Sequence, residues 1–187
     1  VLVAGLGNDA VTPDAVGPET LRNLIVTRHL KRSLPAVFSA FSTVSALAPG
    51  VLATTGTESA ELIAAAVRQI QPDAVIAVDA VAARGAERVC AAVQLSTAGI
   101  TPGSGVGNAR TAIDRTTLGV PVLAIGAPTV MDLGGYGTKE GTIPDGMILT
   151  PRDIDAKIRL LGRWIGLGID LALHEGLDVE TAESFLA

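Results

Sequence analysis

Cysteine and histidine are scarce in this sequence. Cys90 is the single cysteine in 187 residues, so an intramolecular disulfide is excluded, and the chain fits a reducing, cytosol-like compartment. The two histidines, His29 and His174, fall within predicted helices or at their ends. Zinc and nickel sites usually recruit histidine or cysteine, and none of these three residues falls in a predicted crevice loop. A zinc or nickel site is therefore not favoured, whereas a magnesium or calcium site made only of oxygen ligands stays open.

Positive charge and long apolar runs are also lacking. The chain carries 14 Lys and Arg against 19 Asp and Glu, a net charge of −5, which argues against nucleic-acid binding because there is no excess of cations to neutralise phosphates. No stretch has the length of a membrane span without Gly, Pro or a charge, and no secretory signal is visible. Hydrophobic residues make up 48%, which predicts one globular domain over residues 1–187.

Two apolar runs each lead to an aspartate. Residues 1–4 predict a buried strand, and the Gly- and Pro-rich loop that follows ends at Asp14. Residues 73–79 predict a second buried strand that ends at Asp79. Ligands of open α/β sheets bind beyond the carboxyl ends of the strands, so the two acids are a candidate catalytic pair. The alternatives are structural: Asp14 satisfies amides before a helix, and Asp79 caps the next turn.

The remaining pattern predicts an α/β fold. Further strands are expected over 88–95 and 120–126, and helices from Pro18 to about His29, over 58–70 with Thr57 as N-cap, and from Pro151 to about His174. In the last helix Gly162, Gly166 and Gly168 are expected to allow close packing on the sheet. This order predicts a three-layer domain with a mostly parallel or mixed twisted sheet flanked by helices.

Two neighbouring carboxyl groups do not readily ionise together because their negative charges repel, so one keeps a proton while the other stays charged. The charged group can take a proton from water, and the protonated group can polarise a carbonyl. Such a pair supports hydrolysis without a metal or a covalent nucleophile. A serine triad is not favoured, because the sequence contains no GxSxG motif.

Residues of two loops are expected to border the same crevice. Asn8 follows the first strand directly. Gly103, Gly105 and Asn108 belong to a Gly-rich loop after the third predicted strand, whose lack of side chains would let an extended peptide lie along its backbone. The alternative is a flexible hairpin tip.

Three further charged residues are candidates for supporting roles. Arg84 follows Asp79 by five residues and is expected either to hold one carboxylate ionised or to be a solvated surface charge. Glu58 and Glu61 open a predicted helix. Either they are functional acids or they simply interact with the helix dipole.

Blocks spread over nearly the whole chain resemble the germination (spore) protease family, which is similar in fold to the hydrogenase maturation endopeptidases. The blocks occur in the family's order: GLGNDAVTPDAVGP (5–18), VTRHL (26–30), VSALAPGV (44–51), TGTESAE (55–61), PDAVIAVDA (72–80), GSGVGN (103–108), VLAIGAPTV (122–130) and LTPRDID (149–155).

The resemblance implies an atypical aspartic-type endopeptidase that initiates degradation of small acid-soluble spore proteins at germination. It implies a cytoplasmic protein of the spore core, made as a zymogen, assembled as a homotetramer and using no metal or other cofactor. The family's two essential aspartates fall on Asp14 and Asp79. Family members carry further residues before the first block, so we expect this chain to lack that N-terminal segment. A silent or truncated relative that only binds protein partners, and a metal-dependent maturation-type endopeptidase, stay open as alternatives.

Overall fold

A mixed, six-stranded sheet lies at the centre of the computed structural model, which describes residues 1–133, 137–138, 141–144 and 146–186. Its strands are β1 (Leu2–Gly5), β2 (Ser45–Leu47), β3 (Val75–Ala83), β4 (Gln94–Ser96), β5 (Val122–Asp132) and β8 (Ile148–Leu149). Two further short strands, β6 (Gly137–Thr138) and β7 (Gly141–Thr142), pair with each other.

The strand order is β2-β1-β3-β5-β4, with β8 also paired to β5. The pairs β1–β2, β1–β3 and β3–β5 are parallel, whereas β4 and β8 run antiparallel to β5. The predicted mostly parallel or mixed sheet is therefore confirmed. Two strand ends are wrong: β3 does not end at Asp79 but continues to Ala83, and the strand predicted over 120–126 continues to Asp132, because the two strands stay paired with each other.

Helices cover both faces of the sheet. They are α1 (Val16–Arg22), α2 (Arg28–Ser33), α3 (Leu52–Thr55), α4 (Ser59–Ile70), α5 (Arg115–Leu118), α6 (Ile154–Leu173) and α7 (Val179–Leu186). The helices predicted over 58–70 and up to about His174 are confirmed, although α6 begins at Ile154 rather than at Pro151. Of the strand predicted over 88–95, only β4 forms at its end, after a 3-10 turn over Ala86–Arg88.

The helix predicted from Pro18 to His29 is in fact two helices. The intervening chain is held by side chains: the Asp170 carboxylate accepts the Ile25 N–H at 3.1 Å, and the Thr27 hydroxyl donates to the Ser42 carbonyl. These contacts replace helical hydrogen bonds. His29 consequently lies in the first turn of α2 and not at a helix C-terminus.

Strand alternation divides the core into two clusters. Val3, Ile76 and Val78 face α1 and α6, and the buried stripe of α6 packs on that side. Leu2, Ala4, Val75 and Ala77 face the opposite side, with Ile63 of α4 and Leu118 of α5. Successive residues of a strand point to opposite faces, so both faces of β1 and β3 are buried. Among the described residues, no helix has the length and apolar character needed to span a membrane.

Candidate active site

A cavity opens where β1 ends and β3 continues. The last paired residues of the two strands are Gly5 and Val78, after which the chain leaves β1 while β3 runs on to Ala83. The chain passes from β1 to β2 on one side and later returns to β3 on the other, which makes this the topological switch point of the sheet. The cavity measures about 530 Å³. Both predicted catalytic residues, Asp14 and Asp79, line it.

Asp14 is held by the loop that follows β1. It ends a short 3-10 turn, Thr12–Asp14, and its Oδ2 accepts the backbone N–H of Asn8 at 2.7 Å. Gly7 makes this approach possible, because it adopts a φ of +105° and an added Cβ would lie 1.9 Å from the Asp14 carbonyl oxygen. The loop between Gly7 and Asp14 therefore fixes one carboxylate at the cavity.

Asp79 sits in the middle of β3. By strand alternation its side chain follows Val75 and Ala77 on the α4 face, so it extends a buried apolar row. Only 4% of the residue is exposed. Burial, together with the negative charge of Asp14, raises the pKa of Asp79 to about 8, against a smaller opposing effect of the Ala80 amide.

The two carboxyls differ in their surroundings. Burial raises the pKa of Asp14 as well, but the hydrogen bond from the Asn8 amide stabilises its ionised form and opposes that rise. Asp79 is the more deeply buried of the two, and the negative charge of Asp14 further destabilises its ionised form. At neutral pH this arrangement favours the pair's one proton on Asp79 rather than on Asp14, and the two titration steps belong to the pair as a whole.

The loops predicted to border the crevice do reach the cavity. Asn8, Gly103, Gly105 and Asn108 all line it together with the two acids. The Gly-rich loop is closed by the Asn108 N–H, which donates to the Gly103 carbonyl at 3.0 Å.

Arg84 lies elsewhere. It is exposed, it is not among the residues that line the cavity, and it does not contribute to the pKa of either aspartate. Because β3 continues past Asp79, five further residues carry Arg84 roughly 16 Å along the strand direction. Sequence reasoning missed a different cation, Arg110, which lines the cavity. Its position just after the Gly-rich loop was the available signal.

Glu58 and Glu61 form a helix cap. Glu58, not Thr57, is the N-cap of α4, and its backbone N–H donates to the Glu61 carboxylate at 3.3 Å in a capping box. Glu58 also lines the cavity, whereas Glu61 does not. The capping contacts give both residues a structural role, and Glu58 stays a candidate supporting acid because it also lines the cavity.

The donors at the cavity do not fit a zinc or nickel centre. Asp14 and Asp79 offer oxygen atoms, while His29, His174 and Cys90 do not line the cavity. In the part of the chain that the structure describes, no group of three or more His, Cys, Asp or Glu residues is placed to hold a metal ion. Zinc and nickel prefer nitrogen and sulfur ligands, which this site lacks among those residues.

The fold resembles that of a solved peptidase. The NiFe hydrogenase maturation protease HycI from Thermococcus kodakarensis KOD1 superposes with a TM-score of 0.51 at 19% identity, covering 88% of each chain. At that identity the likeness concerns the fold alone.

Sequence comparisons are more specific. A family model described as germination protease matches residues 1–139. The germination protease of Caldanaerobacter subterraneus subsp. tengcongensis is 40% identical over 95% of this chain and 67% of its own length. That of Priestia megaterium is 54% identical over 70% of this chain, and that match spans 36% of the relative. The germination protease of Clostridium tetani is 35% identical over 99% of this chain and 69% of its own length. The chain thus belongs to the germination protease family, of whose members it spans only a part.

Proposed function

We propose that this protein is an endopeptidase of spore germination in which Asp14 and Asp79 activate water. The observation that supports this most directly is that two carboxyls line one cavity in different electrostatic settings. In this proposal one carboxyl accepts a proton while the other donates one. That is the combination a metal-free peptide hydrolysis needs.

In this mechanism Asp14 is the general base. Its carboxylate removes a proton from water as the water oxygen bonds to the carbonyl carbon of the peptide. Protonated Asp79 donates to the carbonyl oxygen and stabilises the tetrahedral intermediate. Transfer of the proton from Asp14 to the amide nitrogen then lets the carbon–nitrogen bond break, and Asp79 recovers its proton as the carbonyl re-forms.

Family membership supports further parts of the proposal. The substrates would be small acid-soluble spore proteins, cut in the cytoplasm of the spore core by a homotetramer that is made as a zymogen. Residues 1–187 would form a single peptidase domain. The acidic balance of the chain, a net charge of −5, agrees with a protein that does not bind nucleic acid directly.

Aspartate-to-asparagine variants test the pair. Asp14→Asn and Asp79→Asn are each expected to lower kcat by at least about 100-fold, the range that general acid–base groups supply. Fragments of a small acid-soluble spore protein are followed by mass spectrometry, and circular dichroism checks the fold. Asp73→Asn is the matched control, because Asp73 is an exposed acid at the opposite end of β3 and does not line the cavity.

Activity within twofold of the parent in either variant would remove that aspartate from the mechanism. A parent protein that binds the spore protein but releases no fragments would instead support a non-catalytic binding module. The two results are distinguished by the same mass spectra together with a binding measurement.

A further inference from the structure

The edge of β3 that faces β1 is covered over only part of its length. Pairing with β1 ends at Gly5 and Val78, and the Leu6 N–H then donates to the Val78 carbonyl at 2.8 Å. At Gly7 the chain turns away from the sheet with a φ of +105°. Beyond Val78, the line along which β1 ran, here called the β1 lane, is part of the cavity.

The backbone groups that face the β1 lane follow from the pairing. Within a strand, hydrogen-bonding groups alternate between its two edges. Ala74 and Val78 accept from β1-side residues Leu2 and Leu6, whereas Val75 donates to Pro121 on the β5 side. Ala80 is the next even-numbered residue, so its carbonyl is directed to the lane, and the residue lines the cavity.

The far end of the lane is closed by the Gly-rich loop. The 3-10 turn Ser104–Val106 packs on β3 so tightly that a Cβ added to Gly105 would lie 2.8 Å from the Ala82 Cβ and 3.2 Å from its nitrogen. In the part of the chain that the structure describes, the edge of β3 between Leu6 and Gly105 therefore lacks a paired strand for only about one residue. Its neighbours in the cavity wall include both aspartates.

We propose that substrate enters the β1 lane as an extended, unfolded segment and donates one backbone N–H to the carbonyl of Ala80. This inference rests on the proposed function and names how the substrate is held. The segment continues the sheet where β1 stops, as in other strand-addition complexes. The recognised chemistry is a main-chain amide, so proline at the anchoring position is excluded.

The test uses Asp14→Asn protein, which should bind peptide without cutting it. Short overlapping peptides from a small acid-soluble spore protein are screened for binding, and the tightest is remade with each amide outside the scissile bond replaced singly by an ester. One ester is expected to weaken binding about fivefold, the equivalent of one hydrogen bond. Peptides that carry the ester at either neighbouring position should bind like the parent peptide, because the N–H groups replaced there point away from β3.

Carbonyl chemical shifts report on the protein side. In HNCO spectra of labelled protein, the Ala80 carbonyl carbon, detected through the Val81 amide, should move downfield with the all-amide peptide and not with the weakened ester. The Ala77 carbonyl is the internal control, because it lies inside the sheet.

An equal effect of every ester, an unmoved Ala80 carbonyl at saturation, or failure of all peptides to bind would overturn the proposal. Cleavage by the unmodified protein is measured separately. If the unmodified protein cuts a peptide but the Ala80 carbonyl resonance does not shift at saturation, only the lane is refuted. If a peptide binds in the lane but the unmodified protein never cuts it, only the catalytic proposal is refuted.

Discussion

Asp14 and Asp79 have the same intrinsic acidity but are placed in unlike surroundings. Asp14 ends a loop and receives an amide hydrogen bond from Asn8. Asp79 is buried within a strand, at the end of an apolar row, with a negative neighbour. At the residue scale, the deeper burial of Asp79 and the amide that Asp14 receives from Asn8 therefore favour the proton on Asp79.

The raised pKa of Asp79 has a consequence for stability. Below pH about 4, Asp79 is protonated in both the folded and the unfolded state and adds no pH dependence. As the pH rises toward about 8, the unfolded state releases this proton and the folded state keeps it. The free energy of unfolding then falls by about 1.4 kcal/mol per pH unit from this group and levels off at higher pH.

The Asp79→Asn substitution removes that pH dependence. The free energy of unfolding of Asp79→Asn relative to the parent is expected to rise between about pH 4.5 and 7.5, with the slope given above. Urea unfolding at several pH values measures it. Asp73→Asn serves as the control for removing an exposed carboxylate outside the cavity. An Asp79→Asn protein that keeps the parent's pH dependence would show that Asp79 ionises normally in the folded state.

Both aspartates could be predicted as a pair because each follows an apolar run, and runs of that kind become adjacent parallel strands. Their different protonation could not be predicted. It depends on the Asn8 amide and on burial, which are three-dimensional properties. Of the two alternatives for Arg84, its exposure and its absence from the cavity lining favour the solvated surface charge, because β3 does not end at Asp79.

At the scale of elements, the packing of α6 on α1 supports the loop that carries Asp14. Gly162 and Gly166 let the two helices approach closely: a Cβ on Gly162 would meet Glu19 at 2.5 Å, and one on Gly166 would lie 2.2 Å from the Asn23 carbonyl oxygen. Gly168 has open space around it. Close packing thus occurs at two of the three glycines, but the expected partner was wrong: they pack against α1 and its C-cap Asn23 and not against the sheet.

Two alanine substitutions in α6 should therefore have opposite signs. Gly166→Ala forces α1 and α6 apart and is expected to lower the free energy of unfolding by about 1–3 kcal/mol. Gly168→Ala meets nothing and gains helix propensity, so it should raise that energy by about 0.5–1 kcal/mol. Thermal and urea unfolding of both variants measure the pair. Equal effects would mean that the α1–α6 distance is not limited by Gly166.

Element boundaries were the least predictable part of the fold. The hydrophobic stripe of α6 was visible because its five isoleucine and leucine residues recur at helical spacing, and all five are buried: Ile154, Ile158, Leu161, Ile165 and Ile169. The break between α1 and α2 was not visible. It depends on a hydrogen bond from the Ile25 N–H to the Asp170 carboxylate, and these two residues are 145 positions apart in the sequence.

At the scale of the whole molecule, the cavity is assembled from segments far apart in the chain. Its lining comes from the loop after β1, the start of α4, the middle of β3, the Gly-rich loop and the end of β5. The parallel order of the sheet brings these segments to one edge, and a parallel sheet was predictable from the alternation of strands and helices. The place of Arg110 in the cavity wall was signalled only by its position just after the Gly-rich loop, because the path of the chain beyond that loop depends on tertiary packing.

The same arrangement of segments places both histidines away from the two aspartates. His174 is buried at the end of α6 beside the ring of Phe41, and His29 lies on α2. Zinc or nickel at Asp14 and Asp79 would have to rely on oxygen donors among the described residues, which these two ions do not favour. Among the same residues, no group of three or more His, Cys, Asp or Glu is placed to hold a metal ion of any kind. Peptide cleavage should therefore survive extended dialysis against a strong chelator, with a zinc peptidase treated in parallel as the positive control. Loss of cleavage that a divalent ion restores would replace the water-activating acid pair with a metal-dependent hydrolase, in which the two aspartates act as ligands.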